Sequence, residues 1–186
     1  MREEFLEIYS SSGKKTGRKA TKSYIHKNGL FHATVHIWIF SEKGNVLIQK
    51  RSTKKKLNPG VWDVSVAGHI EYKEDIKAAA FRETFEETGL HIKEKDLFKL
   101  GIYSSVSNHS NIIDKEFHHT YILKIDEDKI NLNYKNDEVD DLKLISLDEM
   151  DFLLNQNNRD IFIGKNKNYY KDVFEAILEM TKENYQ

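Results

Sequence analysis

A chain of 186 residues falls within the range of about 100–200 expected of one domain, and an apolar share of 39%, with ten Phe and nine Tyr, supplies enough side chain for a sizeable core. Charged residues reach 32%, yet 29 basic residues stand against 30 acidic ones for a formal charge of −1, so no net field directs the chain to nucleic acid or an anionic membrane surface. Cysteine is absent, which excludes disulfides, thiolate metal sites and a cysteine nucleophile.

The N-terminus, MREEFLEIY, lacks the apolar run of a signal peptide, and the longest apolar stretch, near Val35 to Phe40, is too short to span a bilayer. The expectation is a cytoplasmic protein with no membrane partner and no specific nucleic-acid partner. Residues 4–9 (EFLEIY) read as a short strand followed by a turn at Ser10–Gly13, and the basic, polar stretch 14–29 reads as holding one helical turn around Ala20–His26. Thr34–Phe40 (TVHIWIF) is β-branched and aromatic, hence a strand. Gly44-Asn45 marks a turn, and Val46–Gln49 returns as the second strand of a hairpin.

A lysine-rich loop, Ser52–Gly60, ends at Pro59, the only proline. Trp62–Ala67 reads as one strand leading into Gly68. Glu74–Thr88 favours helix, with three consecutive alanines and Gly89 as its stop signal. Leu97–Val106 and Phe117–Ile125 are strand candidates separated by a long polar loop, and the stretch Ser104–Lys115 is placed to shape substrate choice. Leu142–Ile145 is a short strand, and Ser146 opens a helix through the S-x-x-E capping box. Tyr169–Glu183 has a helical pattern with Val173, Ile177 and Met180 on one side. Strands with interspersed helices imply an α/β layered domain, with residues 1–29 as a strand and extension packing on a core built from 30–186.

The chemistry-bearing segment is GHIEYKEDIKAAAFRETFEETGL, residues 68–90. Glu83, Glu86 and Glu87 stand at i, i+3 and i+4 and crowd one helical face, an arrangement that repels itself without a cation and suits Mg²⁺ with one. Arg82 lies four residues before Glu86, placed to pair with it or to orient a neighbouring carboxylate. Gly68 permits close backbone approach, so its carbonyl is a further candidate ligand. Lys50 and Arg51 are candidate phosphate contacts, Arg51 the better of the two for bidentate geometry, while Lys54–Lys56 read as a solvated loop. Trp62 and Phe31 offer faces for a base, although Trp at a strand start is more often core.

The spacing Gly68, Glu74, Arg82-Glu83, Glu86-Glu87, Gly89, Leu90 resembles the signature box of the Nudix hydrolases. That resemblance implies an α/β/α sandwich with a mixed sheet and cleavage of a nucleoside diphosphate linked to a group X. It assigns metal binding (Mg²⁺ or Mn²⁺) to Glu83, Glu86 and Glu87 and a positioning role to Arg82; the general base is Glu83 or a glutamate outside the box. Thr84 departs from the aliphatic residue usual in the box, a change in packing more than in chemistry.

A second resemblance covers about residues 30–150. His32, Gln49-Lys50-Arg51-Ser52, Pro59-Gly60-Val61-Trp62, Gly68-His69 and Glu116 in KEFHHTYIL resemble the isopentenyl-diphosphate isomerases and the Nudix hydrolases most similar to them. It implies an inner metal held by His32, His69 and Glu116, with His26 as a fourth candidate one residue short in its spacing. The isomerases use a cysteine and a glutamate, and the cysteine position falls at Ala67, which disfavours isomerisation here. A non-catalytic module that binds a nucleotide is the remaining alternative. A homodimer would form through the N-terminal extension or the C-terminal helix.

Overall fold

A computed structural model describes residues 3–109, 112–155 and 167–182. In chain order the strands are β1 (Phe5–Tyr9), β2 (Lys15–Thr21), β3 (Phe31–Ser41), β4 (Val46–Arg51), β5 (Trp62–Asp63), β6 (Val66–His69), β7 (Leu97–His109), β8 (Ile112–Ile125) and β9 (Val139–Ile145). The helices are α1 (Lys22–Asn28), α2 (Ile76–Thr88), α3 (Leu147–Asn155) and α4 (Lys167–Lys182).

β3 is the spine of one mixed sheet. It runs parallel to β8 from Phe31↔Lys115 to Ser41↔Ile125, antiparallel to β6 from Thr34↔His69 to Ile37↔Val66, and turns into β4 at Phe40↔Val46. Alternation along β3 separates the two faces. Ala33, Val35, Ile37 and Ile39 share a buried cluster with Ala79 and Ala80 of α2, whereas Trp38 and Phe40 pack with Met150 of α3 and Tyr169, Val173 and Ile177 of α4. The result is the expected α/β/α sandwich. Each fully buried aliphatic side chain in these clusters contributes about 1.5–3 kcal/mol.

α2 begins where Asp75 accepts hydrogen bonds from the backbone N–H groups of Lys77 and Ala78, and it ends at Gly89, whose φ of 73° is left-handed. A Cβ on Gly89 would also approach the Tyr134 ring to 2.9 Å. The cap corrects the expected start at Glu74: that residue stands outside the helix, and its side chain turns to Arg82 instead.

Three other expectations are corrected. The basic stretch 14–29 contains β2, an outer strand paired with β1, before α1; its lysines and arginine face solvent, so they do not oppose a strand. Trp62–Ala67 is two strands, because Val64 and Ser65 break the run. Ser65 Oγ donates to the Leu47 carbonyl and accepts from Ile39 N–H, and the chain crosses from β4 to β3 as its partner. The polar loop expected between Ser104 and Lys115 is instead the long β7–β8 hairpin, paired from Leu97↔Leu123 out to His109↔Ile112. Its residues alternate between the faces: Ser104, Val106 and Asn108 are exposed, while Ser105, Ser107 and Asp114 are partly buried.

Ser146 caps α3 through its Oγ, 3.1 Å from the Glu149 N–H, and α4 buries Val173 and Ile177 as the pattern implies; Glu183 lies outside the described residues. No helix among the described residues is long and apolar enough to cross a membrane.

Candidate metal and catalytic centre

β6 is the pivot on which the box helix and the rest of the site meet. The Ala67 N–H donates to Glu87 Oε2 at 2.8 Å, and Gln49 Nε2 donates to the same oxygen at 2.6 Å. One residue on, Gly68 has no room for a side chain: a Cβ there would lie 1.9 Å from the Glu83 carboxyl carbon. The glycine thus lets a buried carboxylate rest against the strand backbone. At the next residue, the His69 carbonyl accepts from Arg82 Nη2 at 2.9 Å.

Arg82 collects the carboxylates around it. Its Nε and Nη2 each donate to one oxygen of Glu74 at 2.8 Å, and Nη1 donates to Glu83 Oε1 at 2.6 Å and to Glu86 Oε2 at 3.1 Å. Burial would raise the Glu74 carboxyl, but hydrogen bonds from Arg82 and from the Glu71 N–H hold it below its usual value. Burial, together with the neighbouring Glu87 charge, pushes Glu83 up to about 8, and burial pushes Glu87 up to about 7. Two buried carboxylates that resist ionisation side by side form a centre that a divalent cation stabilises. Glu86 is half exposed and joins them through Arg82.

A second group of ligand atoms lies beyond His69. His26 from α1, His32 from the start of β3 and His69 from the end of β6 each bring a candidate ligand atom within 4.8 Å of the others. The Nε2 atoms of all three are buried and have no hydrogen-bond partner among the described residues. Asp114 Oδ1 lies 3.6 Å from His26 Nε2 and 3.7 Å from His32 Nε2; Glu116 Oε1 lies 3.6 Å from His32 Nε2 and 3.9 Å from His69 Nε2. His32 Nδ1 is 3.3 Å from the Leu30 carbonyl, and a proton there leaves the Nε2 lone pair for the cluster.

Burial pushes His69 well below its ordinary value and, with the His32 charge, brings His26 down to about 4. Burial opposes the charging of His32, yet Glu116 and Asp114 raise it. Burial would likewise raise Glu116, but His32, His118 and His69 hold it well below the carboxylate range. Imidazoles and carboxylates converging on one point are the donor set of a transition-metal or zinc site, and they fit Mn²⁺ as well. The orphaned Nε2 atoms are the observation that a metal would satisfy.

The three candidate substrate contacts lie on β4 and β5. Lys50 and Trp62 oppose each other across β4 and β5, and Trp62 packs against the α4-side core. Arg51 Nη1 is 3.3 Å from Asp63 Oδ2, and its charge, with that of Lys55, lowers the Glu87 carboxyl against the effect of burial. In the lysine loop, Lys54 pairs with Asp137 at 2.6 Å and Lys55 with Glu138 at 2.5 Å; Lys54 and Lys56 are exposed, as a solvated loop implies, and Lys55 is partly buried.

Sequence reasoning missed Asp114, Gln49, His36 and His118. Asp114, Glu116 and His118 follow one another at a spacing of two, which on a strand is one face, so period-two reading of β8 was the signal. Thr84 is fully buried, and its hydroxyl donates to the Ala80 carbonyl at 2.6 Å, which disposes of its polar atom within the helix.

Residues 30–163 match the NUDIX domain. An uncharacterized Nudix hydrolase of Clostridium acetobutylicum is 32% identical over 206 residues, covering 96% of this chain and 99% of its own. An isopentenyl-diphosphate Delta-isomerase of Photorhabdus laumondii is 35% identical over 143 residues, 77% of each chain. A crystal structure of a Deinococcus radiodurans protein has the same fold, with a TM-score of 0.63 at 16% identity over 95% of this chain and 98% of its own. With its matching domain, full-length relative and sandwich fold, the chain belongs to the Nudix hydrolases, enzymes that act on pyrophosphate bonds.

Proposed function

We propose that this protein is a Mg²⁺- or Mn²⁺-dependent hydrolase that cleaves the diphosphate of a small molecule of the nucleoside diphosphate-X class. The observation that carries the reading is the buried Glu83–Glu87 pair, seated on Gly68 and clamped by Arg82. A divalent cation, when bound, neutralises the diphosphate oxygens and makes water a better nucleophile. Glu83, Glu86, Glu87 and the Gly68 carbonyl are its ligands in this reading, and His32, His69 and Glu116, joined by His26 and Asp114, hold a further ion.

Glu83 takes the proton of the attacking water, held for that role by the hydrogen bond from Arg82 Nη1. The water oxygen forms a bond to phosphorus as the bridging P–O bond breaks, and the electron pair leaves on the departing phosphate. Arg82 keeps Glu83 in place throughout, and Arg51, Lys50 and Trp62 contact the substrate outside the reacting atoms. Residues 1–29 are an extension of the same domain, a reading supported by the Tyr9↔Phe31 pairing and the packing of Leu6, Ile8 and Ile25. A second copy of the chain would add at the outer strand β2.

The test is a panel of nucleoside diphosphate-X compounds with Mg²⁺ or Mn²⁺, scored by release of nucleoside monophosphate or phosphate. Turnover that survives Glu83→Gln and Glu87→Gln sinks the assignment. One observation favours a second reading, isomerisation of a prenyl diphosphate: His32, His69 and Glu116 share a sheet with residue 67. Ala67 supplies no thiol there, so deuterium from D₂O should not enter isopentenyl diphosphate; incorporation would reverse the ranking.

A further inference from the structure

Glu116 presents one oxygen to the imidazole cluster and the other to a different histidine. Oε1 faces His32 and His69, while Oε2 lies 3.6 Å from His118 Nδ1. His118 is 2% exposed and engaged on every side. Its Nδ1 is 2.8 Å from Thr34 Oγ1, its Nε2 is 2.7 Å from Ser105 Oγ, and its ring stacks on His36 with centroids 4.0 Å apart. His36 is anchored in turn: its Nδ1 is 2.9 Å from the Tyr169 hydroxyl, which also accepts from Trp38 Nε1 at 2.8 Å. The support for one carboxylate therefore draws on β3, β7, β8 and α4.

His36, His118 and Glu116 bring ligand atoms within 4.8 Å of one another, so a second ion is the competing use of this group. The hydrogen bonds argue against it. Both His118 nitrogens are held by hydroxyls and His36 Nδ1 by a phenol, whereas the Nε2 atoms of His26, His32 and His69 lack any hydrogen-bond partner among the described residues. Seating an ion on His118 would break a short hydrogen bond in a buried site, a cost that the first cluster does not carry.

We propose that His118, locked by Thr34, Ser105 and the His36 stack, is a positioning residue that holds Glu116 Oε2 away from the imidazole cluster. Glu116 then offers only Oε1 to an ion bound there. A carboxylate free to turn would chelate with both oxygens and occupy a coordination position that water or a substrate oxygen needs. The proposal rests on the reading of the imidazole cluster as a metal centre. The positioning residues His118, Thr34 and Ser105 lie outside both the box and that ligand set.

The full-length protein loaded with Co²⁺ tests it, through the visible absorption of the ion and its affinity in chelator competition, alongside steady-state kinetics on the diphosphate panel. His118→Leu should still bind Co²⁺, with a weakened, shifted absorption as the coordination number rises and an affinity no lower than that of the wild type, because the second Glu116 oxygen is an added donor. Its kcat should fall by about tenfold or more at unchanged KM, and His118→Gln, which keeps polar contacts, should recover part of both effects. Ser105→Ala removes one anchor from an outer strand and should shift the absorption in the same direction; it decides the question if His118→Leu does not fold. A Co²⁺ spectrum and affinity identical to wild type in both His118→Leu and Ser105→Ala would overturn the proposal. So would a wild type binding two Co²⁺ in the histidine group and losing one with His118. Failure of the wild type to bind Co²⁺ at all would instead remove the metal-centre reading on which the proposal stands.

Discussion

Arg82 Nη2 donates to the carbonyl of His69 at 2.9 Å, so a side chain of the box helix is fastened to the backbone of a residue whose ring belongs to the imidazole cluster. The same guanidinium holds Glu74, Glu83 and Glu86. Two candidate ion sites thereby share one mechanical link, three residues long, formed by Ala67, Gly68 and His69.

Cutting that link should affect both sides of it. Arg82→Lys cannot reproduce a planar fork that serves several acceptors. It is expected to lower kcat by about 10²-fold or more and stability by about 1–3 kcal/mol, since charge-assisted hydrogen bonds to half-buried carboxylates are lost. Steady-state kinetics and urea unfolding measure the two effects. An Arg82→Lys enzyme with wild-type kcat would show that the clamp is structural only.

Gly68→Ala isolates the carboxylate side. A methyl group at that position would collide with the Glu83 carboxyl group and must displace it. Activity should drop steeply, at a stability cost of about 1–3 kcal/mol for overpacking. Retention of Co²⁺ by the histidines in the same variant would show that the damage is local to the box. Full activity in Gly68→Ala would mean that Glu83 is not where catalysis needs it.

The raised carboxyls set a direction for pH dependence in the metal-free protein. Glu83 and Glu87 move from 4.5 up to about 8 and about 7 in the folded chain, so the fold keeps protons that the unfolded chain has released. Their contribution is complete below pH 4.5 and is lost as pH rises through 7 and 8. His26, depressed from 6.5 to about 4, works the other way and loses stability as pH falls below 6.5, whereas His32, raised by Glu116 and Asp114 against burial, declines together with the carboxyls above that value. In EDTA, Tm should therefore decline from pH 6.5 to 8, and Mg²⁺ should reverse the slope by holding both groups ionised. A flat EDTA profile over this range would show that the two carboxyls are not buried together in solution.

Metal binding at the histidines should be separable from the box. Glu87→Gln is expected to retain one tightly held Mn²⁺ or Co²⁺, whereas His69→Ala should lose it. An ion at 100 times its dissociation constant stabilises the fold by about 2.7 kcal/mol, so the difference is readable as a Tm shift that His69→Ala abolishes. An equal shift in His69→Ala would place the ion elsewhere.

Local chemistry made much of this protein legible in one dimension. The strand Thr34–Phe40, the helix ending at Gly89 and the box carboxylates each depend on neighbours within a few residues, through alternation, capping and i, i+4 spacing. Only the outer part of the β7–β8 hairpin, beyond Val106, was hidden, because Ser107, Asn108 and His109 put polar residues on both faces of the strand and leave no apolar alternation to mark it. The break at Val64–Ser65 was hidden too, since it arises from a hydrogen bond to Leu47 in another strand.

Residue identity and spacing alone carried the class of chemistry: a box of carboxylates around one arginine, and no thiol at position 67. Which residues share a site depends on how the chain folds back on itself. Gly68 is indispensable because Glu83 arrives from a helix fifteen positions later, and His26, one residue out of register with the expected spacing, reaches the cluster because α1 turns it inward. His118 looked like any strand residue until β3 and β7 closed around it with Thr34 and Ser105. Sequence spacing encodes contacts along one element, while convergence from β3, β6, β8 and α1 depends on how the sheet pairs, and no single segment contains that information.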